Sequence, residues 1–246
     1  MPELPEVETI RRELAKEIVG KKLDGIKIIG VRRRAKILII DLINGQSLLF
    51  HLKLTGQLLF NSQPGKYTRA VFCFNDGTNL IFNDKIKFGW WKKVKNVSQI
   101  EKQFGPEPLE DDFTSEKFQQ MLARRKNAKI KPLLMDQKFI AGIGNIYSDE
   151  ILFKAGIHPL RRVVSLKFNE IEQIFGAIKI VLKTAVKQRG SSIRDYLDIY
   201  GKKGDYGKFH QVYHRENQAC PKCGEKIKRI KIGGRSAHFC PKCQKL

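Results

Sequence analysis

The chain has 246 residues, enough for one large domain or two modest ones with hydrophobic cores. Lysine and arginine total 47 against 25 acidic residues, and the net charge of +22 favours nucleic acid, ahead of an anionic membrane, as the partner. The sequence contains no run of about 18 apolar residues, the length needed to span a membrane. Its N-terminus is acidic where a signal peptide is basic, so we expect a cytoplasmic protein.

The first hundred residues change from helical to strand periodicity at Gly20. From Pro5 to about Ile18, apolar residues recur at helical spacing. "KILIIDLI" and "QSLLFHLKL" then flank Asn44-Gly45, and "RAVFCF" and "TNLIF" flank residues 75–77, so two hairpins are predicted. "VRRRAK" (31–36) is predicted to start a strand on which Arg34 and Lys36 share a face. The pattern indicates an α+β protein whose N-terminal helix is attached to a two-layered antiparallel β-sandwich.

The remaining chain is mainly helical after a polar, proline-containing junction, "FGPEPLEDDF" (104–113). Thr114 is predicted to cap one helix, Pro132 to begin a second, and Gly156 to end a third. The longest helix is predicted over Phe168–Lys187, and residues 190–215 are expected to form a mobile loop. The predicted domains are 1–109, 110–215 and 216–246.

Four of the five cysteines form two C-x-x-C pairs, Cys220 with Cys223 and Cys240 with Cys243, separated by 16 residues. This spacing is typical of one structural Zn²⁺ held by four thiolates, which leaves no open position for a catalytic water. Two disulfides are the alternative, disfavoured because nothing indicates an oxidising compartment. Cys73, alone in "AVFCF", is predicted to be a buried structural thiol.

The N-terminus places Pro2 beside Glu3, with Glu6 and Glu8 close by in the sequence. Removal of the initiator methionine would expose the secondary amine of Pro2, and an α-amino group with a pKa near 8 can attack an electrophilic carbon to form a Schiff base. Glu3 could then act as general acid and base. The alternative is purely structural: Pro2 starts a helix and the acids complement its dipole.

Basic residues cluster in three places: 31–36, 123–132 and 201–208. A glycine-rich turn at 142–145 leads into a helix at Asn145, whose side chain and neighbouring backbone N–H groups could hold a phosphate. Together with the cysteine module, these clusters indicate a surface for a nucleic-acid backbone.

These motifs, in this order over nearly the whole chain, resemble formamidopyrimidine-DNA glycosylase, the Fpg or MutM family of bacterial base-excision repair. "MPELPEVETI" resembles the N-terminal signature, "RRAK" the catalytic-lysine strand, "HLKLTGQL" the intercalation loop and "GPEPL" the domain junction. "IKPLLMDQKFIAGIGNIYSDEILFKAGIHP" resembles the helix–two-turn–helix, and "GGRSAHFCPKCQ" the end of the C-terminal zinc finger, a β-hairpin.

The resemblance implies a monomeric enzyme that excises oxidised purines from duplex DNA and cuts the strand by β,δ-elimination. It implies that Pro2 is the nucleophile, Glu3 the proton donor and acceptor, Lys36 the β-elimination lysine, and Arg235 the phosphate-gripping residue of δ-elimination. It further implies phosphate contacts by Lys126, Lys131 and Asn145. Leu54 and Phe88 are implied to be apolar wedges that enter the base stack. The loop at 190–209 is expected to cover the extruded base.

Three departures from the family pattern are visible. "DKIKFG" places Ile86 where an arginine normally hydrogen-bonds the base opposite the lesion, so relaxed discrimination of that base is predicted. Tyr67 replaces a phosphate-contacting histidine, and the segment before Lys36 is short. Two alternatives therefore accompany the prediction: an endonuclease VIII-like enzyme for oxidised pyrimidines or abasic sites, and a non-catalytic zinc-ribbon binding protein.

Overall fold

The computed structural model describes all residues from Met1 to Leu246. Contacts group them into two compact units: Met1–Gln103 with Ala185–Gly207, and Phe104–Thr184 with Lys208–Leu246. Residues 185–207 thus pack with the N-terminal unit although they follow the longest helix. The three-domain division made from the sequence stays a prediction. No helix is long and apolar enough to cross a membrane.

The first unit contains helix α1 (Leu4–Ile18), the short helix α2 (Ser98–Glu101) and two antiparallel sheets. The five-stranded sheet has the order β1-β2-β3-β4-β8, and the three-stranded sheet has the order β5-β7-β6. The strands are β1 Lys22–Leu23, β2 Ile26–Arg34, β3 Ile37–Leu42, β4 Ser47–His51, β5 Gly56–Phe60, β6 Thr68–Cys73, β7 Asn79–Asp84 and β8 Trp90–Val94. Both predicted hairpins are present: β3 pairs with β4 around Asn44-Gly45, and β6 pairs with β7 around residues 75–77.

One hydrophobic core lies between the two sheets and α1, which confirms the two-layered architecture. Phe50 of β4 contacts two rings of the other sheet, Phe72 at 5.4 Å and Phe82 at 6.1 Å between centroids. Tyr196 and Ile199 are buried in the same core, and the Phe60 N–H donates to the Ile199 carbonyl at 2.8 Å. Burying side chains of this size stabilises the fold by roughly 1.5–3 kcal/mol each. The expectation of a mobile loop therefore does not fit this part of the 190–215 segment.

Two local predictions in the first unit are wrong. The "VRRRAK" segment ends β2 rather than starting a strand, because Ala35 has a φ of 52° and turns the chain directly into β3. Arg34 and Lys36 consequently do not share a strand face. Cys73 is exposed rather than buried, because Phe72 and Phe74 on either side of it point into the core and strand side chains alternate.

The second unit is helical and ends in a β-hairpin. Its elements are α3 Ser115–Ala123, α4 Ile130–Met135, α5 Asn145–Ala155, most of α6 Phe168–Lys187, and the strands β9 Lys228–Ile232 and β10 Arg235–Phe239. The Thr114 hydroxyl caps α3 by accepting the Lys117 N–H at 3.3 Å, and Gly156 ends α5 with a φ of 73°, both as predicted. Helix α4 starts two residues before Pro132, which is tolerated there because first-turn N–H groups have no helical partner.

Candidate functional site

The chain is buried from Pro2 onward at the start of α1, whereas Met1 itself is 48% exposed. Pro2, Glu3 and Glu6 all have little exposed surface. The Glu6 carboxylate accepts the Glu3 N–H through Oε2 and the Ser191 N–H through Oε1, both at 2.7 Å. Gly190 makes the second contact possible, because a Cβ there would lie 2.7 Å from Glu6 Oε1. Glu6 therefore fixes Glu3 in place and ties the 190s segment to the N-terminus.

The electrostatic environment of this terminus favours a neutral amine. Burial lowers the pKa of the Met1 α-amino group below its ordinary value of 8.0, while Glu3 and Glu6 oppose the shift and Lys36 and Arg194 assist it. A lower pKa means a larger fraction of unprotonated amine at neutral pH, and only that form is nucleophilic. The same interactions place Lys36 within electrostatic reach of the N-terminal amine.

Lys36 is buried and stands in the two-residue turn between β2 and β3. Arg33 supports this turn from two sides: its Nη1 donates to the Ala35 carbonyl at 2.8 Å, and its Nε contacts Glu8 of α1 at 3.3 Å. The left-handed backbone at Ala35 is held by these contacts. Arg33 and Glu8 thus position the turn that carries Lys36 against the helix that carries Glu3.

His51 is a candidate that the sequence reasoning missed. It ends β4 opposite Ile37, the residue after Lys36, and its Nδ1 accepts the Lys53 N–H at 3.0 Å. Burial, with Lys53 and Lys36 nearby, lowers the pKa of His51 to about 4. The ring is therefore neutral at pH 7 with its proton on Nε2, which can donate a hydrogen bond to an anion. The sequence signal that could have identified His51 is its place at the start of the "HLKLTGQL" motif, three residues before Leu54.

The predicted wedge and base-contacting residues are exposed, as a DNA-contacting role requires. Leu54 is 45% exposed, Ile86 38% and Phe88 64%, although all three are apolar. Tyr67, 41% exposed, precedes β6. Ordinary core packing, the simplest alternative for Leu54 and Phe88, does not apply.

Asn145 is the first residue of α5 in the second unit, directly after the Gly144 N-cap. Its Oδ1 atom is buried and has no hydrogen-bond partner. An amide oxygen only accepts hydrogen bonds, so this atom cannot contact a phosphate; a phosphate at this helix N-terminus would be held by backbone N–H groups or by Asn145 Nδ2. Lys126 is exposed in the preceding basic segment. The phosphate contacts of Asn145 and Lys126 stay predictions.

Lys131 does not fit a direct phosphate contact. It is 1% exposed, and its ammonium group donates to Asp149 Oδ1 at 2.7 Å and to the Ser236 carbonyl at 2.6 Å. Asp149 Oδ2 in turn accepts the His238 N–H at 2.9 Å and lies 3.0 Å from His238 Nδ1. Lys131 therefore joins α4 and α5 to β10. A lysine needs such partners to be buried, and the sequence does not reveal them.

The same contacts position Arg235, which begins β10 and is exposed. The turn before it consists of Gly233 and Gly234, with φ values of 55° and 77°, a backbone that favours glycine. Ser236 and His238 on the following strand are held by Lys131 and Asp149. Arg235 thus projects from the tip of a hairpin whose strand is fixed by a buried ion pair.

The four cysteines of the two C-x-x-C motifs form a compact thiol cluster beside this hairpin. Their Sγ atoms all lie within 4.8 Å of one another, with Cys223 and Cys240 3.5 Å apart and Cys220 and Cys243 3.9 Å apart. Tetrahedral zinc with bonds of about 2.3 Å separates its sulfur ligands by about 3.8 Å. The cluster therefore fits one structural Zn²⁺ and not two disulfides, whose sulfurs lie about 2.05 Å apart.

A β-sandwich with a buried N-terminus, a helical unit and a four-cysteine hairpin define a zinc-finger protein of the nucleic-acid-processing type. Three family models match: the formamidopyrimidine-DNA glycosylase N-terminal domain (residues 1–29 and 21–91), its H2TH domain (104–196), and the zinc finger found in FPG and IleRS (217–246). The first model matches in two overlapping pieces that meet in β2, consistent with the short segment before Lys36.

Whole-chain comparisons agree. The formamidopyrimidine-DNA glycosylase of Herpetosiphon aurantiacus is 41% identical over 273 residues, covering 99% of this chain and all of the relative. A point mutant of the Lactococcus lactis FPG, solved with Fapy-dG-containing DNA, superposes with a TM-score of 0.92 at 35% identity, covering both chains completely. MutM with DNA containing carbocyclic 8-oxo-G gives 0.90 at 35% identity, again over both full chains. The chain belongs to the formamidopyrimidine-DNA glycosylase family.

Proposed function

We propose that this protein is a bifunctional DNA glycosylase and AP lyase that excises oxidised purines, 8-oxoguanine and formamidopyrimidines, from duplex DNA. The observation that carries the proposal is the buried start of α1: Pro2 lies beside the buried Glu3, and Lys36 is within electrostatic reach of the same terminus, where burial lowers the pKa of the Met1 α-amino group. Those are the groups that Schiff-base chemistry needs at one place. A non-catalytic zinc-ribbon protein has no use for them, and the family assignment does not support that alternative.

The chemistry starts once Met1 has been removed. The neutral Pro2 nitrogen attacks C1′ of the damaged nucleotide, and the bond from C1′ to the base breaks as the base leaves with the bonding electrons. The Pro2 nitrogen then gives up its proton, and the departing base takes up one proton. Glu3 donates a proton to the ring oxygen O4′, which opens the sugar and leaves an iminium between Pro2 and C1′. Loss of a proton from C2′ then expels the 3′ phosphate, with Lys36 as the assisting group. A second elimination, in which C4′ loses a proton and Arg235 assists, expels the 5′ phosphate.

Duplex DNA supplies the remaining contacts. Extruding a base costs a few kcal/mol of stacking and pairing, and apolar side chains can occupy the vacated space. Leu54 and Phe88 are assigned that role, while Asn145, Lys126 and Tyr67 are assigned to the backbone. Lys131 is assigned an indirect role through Arg235. A Zn²⁺ held by the four cysteines would supply no reactivity and would act by fixing the hairpin. The 190–209 segment, attached through Glu6, is proposed to cover the extruded base.

One observation favours a second substrate class. Ile86 is exposed and apolar, so it can occupy space but cannot form hydrogen bonds to the opposite base. An enzyme that does not inspect the partner base can also accept oxidised pyrimidines or abasic sites, as an endonuclease VIII-like enzyme does. We further propose that the protein acts as a monomer on chromosomal DNA in the bacterial cytoplasm.

End-labelled duplexes with one 8-oxoguanine, one formamidopyrimidine or one oxidised pyrimidine test the proposal. The purine substrates should be cut to products with phosphate at both sides of the gap. Glu3→Gln should lower incision at least a hundredfold, as expected for loss of general acid–base catalysis. Glu110→Gln, the same change at an exposed acid, should retain full activity. Wild-type protein that leaves every oxidised purine intact contradicts the proposal, and faster cutting of the pyrimidine substrate establishes the second class.

A further inference from the structure

A buried carboxylate outside the reaction centre joins the two loops that carry the exposed apolar residues. Asp84, the last residue of β7, is 1% exposed. Its Oδ1 accepts the hydroxyl of Thr55, on the loop between β4 and β5, and its Oδ2 accepts the Gly89 N–H, on the loop between β7 and β8, at 2.6 Å. The Thr55 oxygen also accepts the Ile86 N–H at 3.2 Å. One carboxylate and one hydroxyl thus connect both loops.

The surroundings allow little movement. A Cβ on Gly89 would lie 2.9 Å from the Phe82 ring and 3.0 Å from Asp84 Oδ2, so only glycine permits this approach. The backbone of Asp84 is held as well, because its N–H donates to the Tyr67 carbonyl at 2.9 Å and its carbonyl accepts Arg69 Nε at 2.9 Å. An ionised carboxylate only accepts hydrogen bonds, and both of its oxygens are used here.

The connected loops present three exposed apolar side chains. Leu54 directly precedes Thr55, while Ile86 and Phe88 lie between Asp84 and Gly89. We propose that Asp84 and Thr55 form a positioning pair that holds Leu54, Ile86 and Phe88 at a fixed separation, so that together they occupy the space left in the duplex when the damaged nucleotide is extruded. This rests on the proposed function. The pair touches no reacting atom and acts through the three apolar residues.

Thr55 offers a matched pair of variants. Thr55→Val removes the hydroxyl and both of its hydrogen bonds at nearly constant volume, whereas Thr55→Ser keeps the hydroxyl. Each variant is compared on a duplex with one 8-oxoguanine and on the same strand, unpaired, with one abasic site. Cutting the unpaired strand needs the N-terminal amine but opens no duplex. Asp84→Asn serves as a second variant. Its amide oxygen can accept the hydrogen bond from only one of the two loops, and its NH₂ group then faces the other loop in place of an acceptor.

Thr55→Val should lower kcat/KM on the duplex about tenfold or more, as misplaced substrate-contacting groups do, and should lower the single-strand rate much less. Thr55→Ser should restore the duplex rate to within about twofold of wild type. When the protein binds a duplex with 2-aminopurine beside the lesion, the change in fluorescence should be smaller for Thr55→Val than for wild type. The reason is that the apolar residues fill the space left by the extruded nucleotide less well. Equal duplex rates for wild type and Thr55→Val overturn the inference, as do equal losses on both substrates. Failure of wild-type protein on both substrates sinks the proposed function instead.

Discussion

Replacing Lys131 by methionine separates a structural role from direct phosphate binding. The substitution keeps the length of the side chain but leaves the Asp149 carboxylate buried without its ammonium partner. Breaking a buried ion pair in this way costs about 3–5 kcal/mol. Asp149 keeps the His238 N–H, so we expect the lower end, near 3 kcal/mol, plus about 1 kcal/mol for the hydrogen bond lost between Lys131 and the Ser236 carbonyl.

Urea unfolding followed by circular dichroism measures this loss, and salt titration of DNA binding measures the alternative. Lys126→Met is the matched control, because Lys126 is exposed and assigned to a phosphate. A lysine that contacts a phosphate contributes about −0.9 to the slope of log K against log salt. We expect Lys131→Met to destabilise the protein by about 3–4 kcal/mol with almost no change in the salt slope. Lys126→Met should leave the stability nearly unchanged and make the salt slope less negative by about 0.9. A stable Lys131→Met protein whose slope becomes less negative by about 0.9 refutes the reasoning.

Three further predictions concern specificity, pH and the metal. Ile86→Arg should raise the ratio of excision opposite cytosine to excision opposite adenine by about tenfold, since a good base contact is worth about 1–3 kcal/mol; an unchanged ratio contradicts the role given to Ile86. Single-turnover rates should rise with pH and then level off, because only the deprotonated amine attacks and the burial that lowers the pKa of the Met1 α-amino group also surrounds Pro2; a rate that falls as the pH rises would argue against an amine nucleophile. Chelation of zinc should weaken DNA binding more than tenfold as the hairpin bearing Arg235 unfolds, and undiminished binding by metal-free protein would exclude that coupling.

Local periodicity and turn chemistry predicted much of the fold. Helix α6 has the predicted bounds, and Asn44-Gly45 marks a real hairpin, because the residues that determine these elements are neighbours in the chain. The C-x-x-C pairs likewise identified the zinc ligands from spacing alone. Motif resemblance placed Pro2, Glu3 and Lys36, but only as candidates.

What the sequence did not reveal depends on contacts between distant residues. The Glu6–Ser191 hydrogen bond joins positions 185 apart in the chain, and the Lys131 ammonium contacts Ser236, 105 positions away. No local pattern distinguishes a buried, paired lysine from an exposed one such as Lys126. Asp84 was passed over for the same reason, because Thr55 lies 29 positions before it.

The role of Pro2 as nucleophile is tested most directly by borohydride trapping on a duplex with one 8-oxoguanine, followed by mass spectrometry of the intact chain and of the cross-linked peptide. We expect a chain that lacks Met1 and a cross-link on the nitrogen of Pro2. Full-rate cutting by protein that retains Met1, or a cross-link on Lys36, would show that another group attacks the sugar.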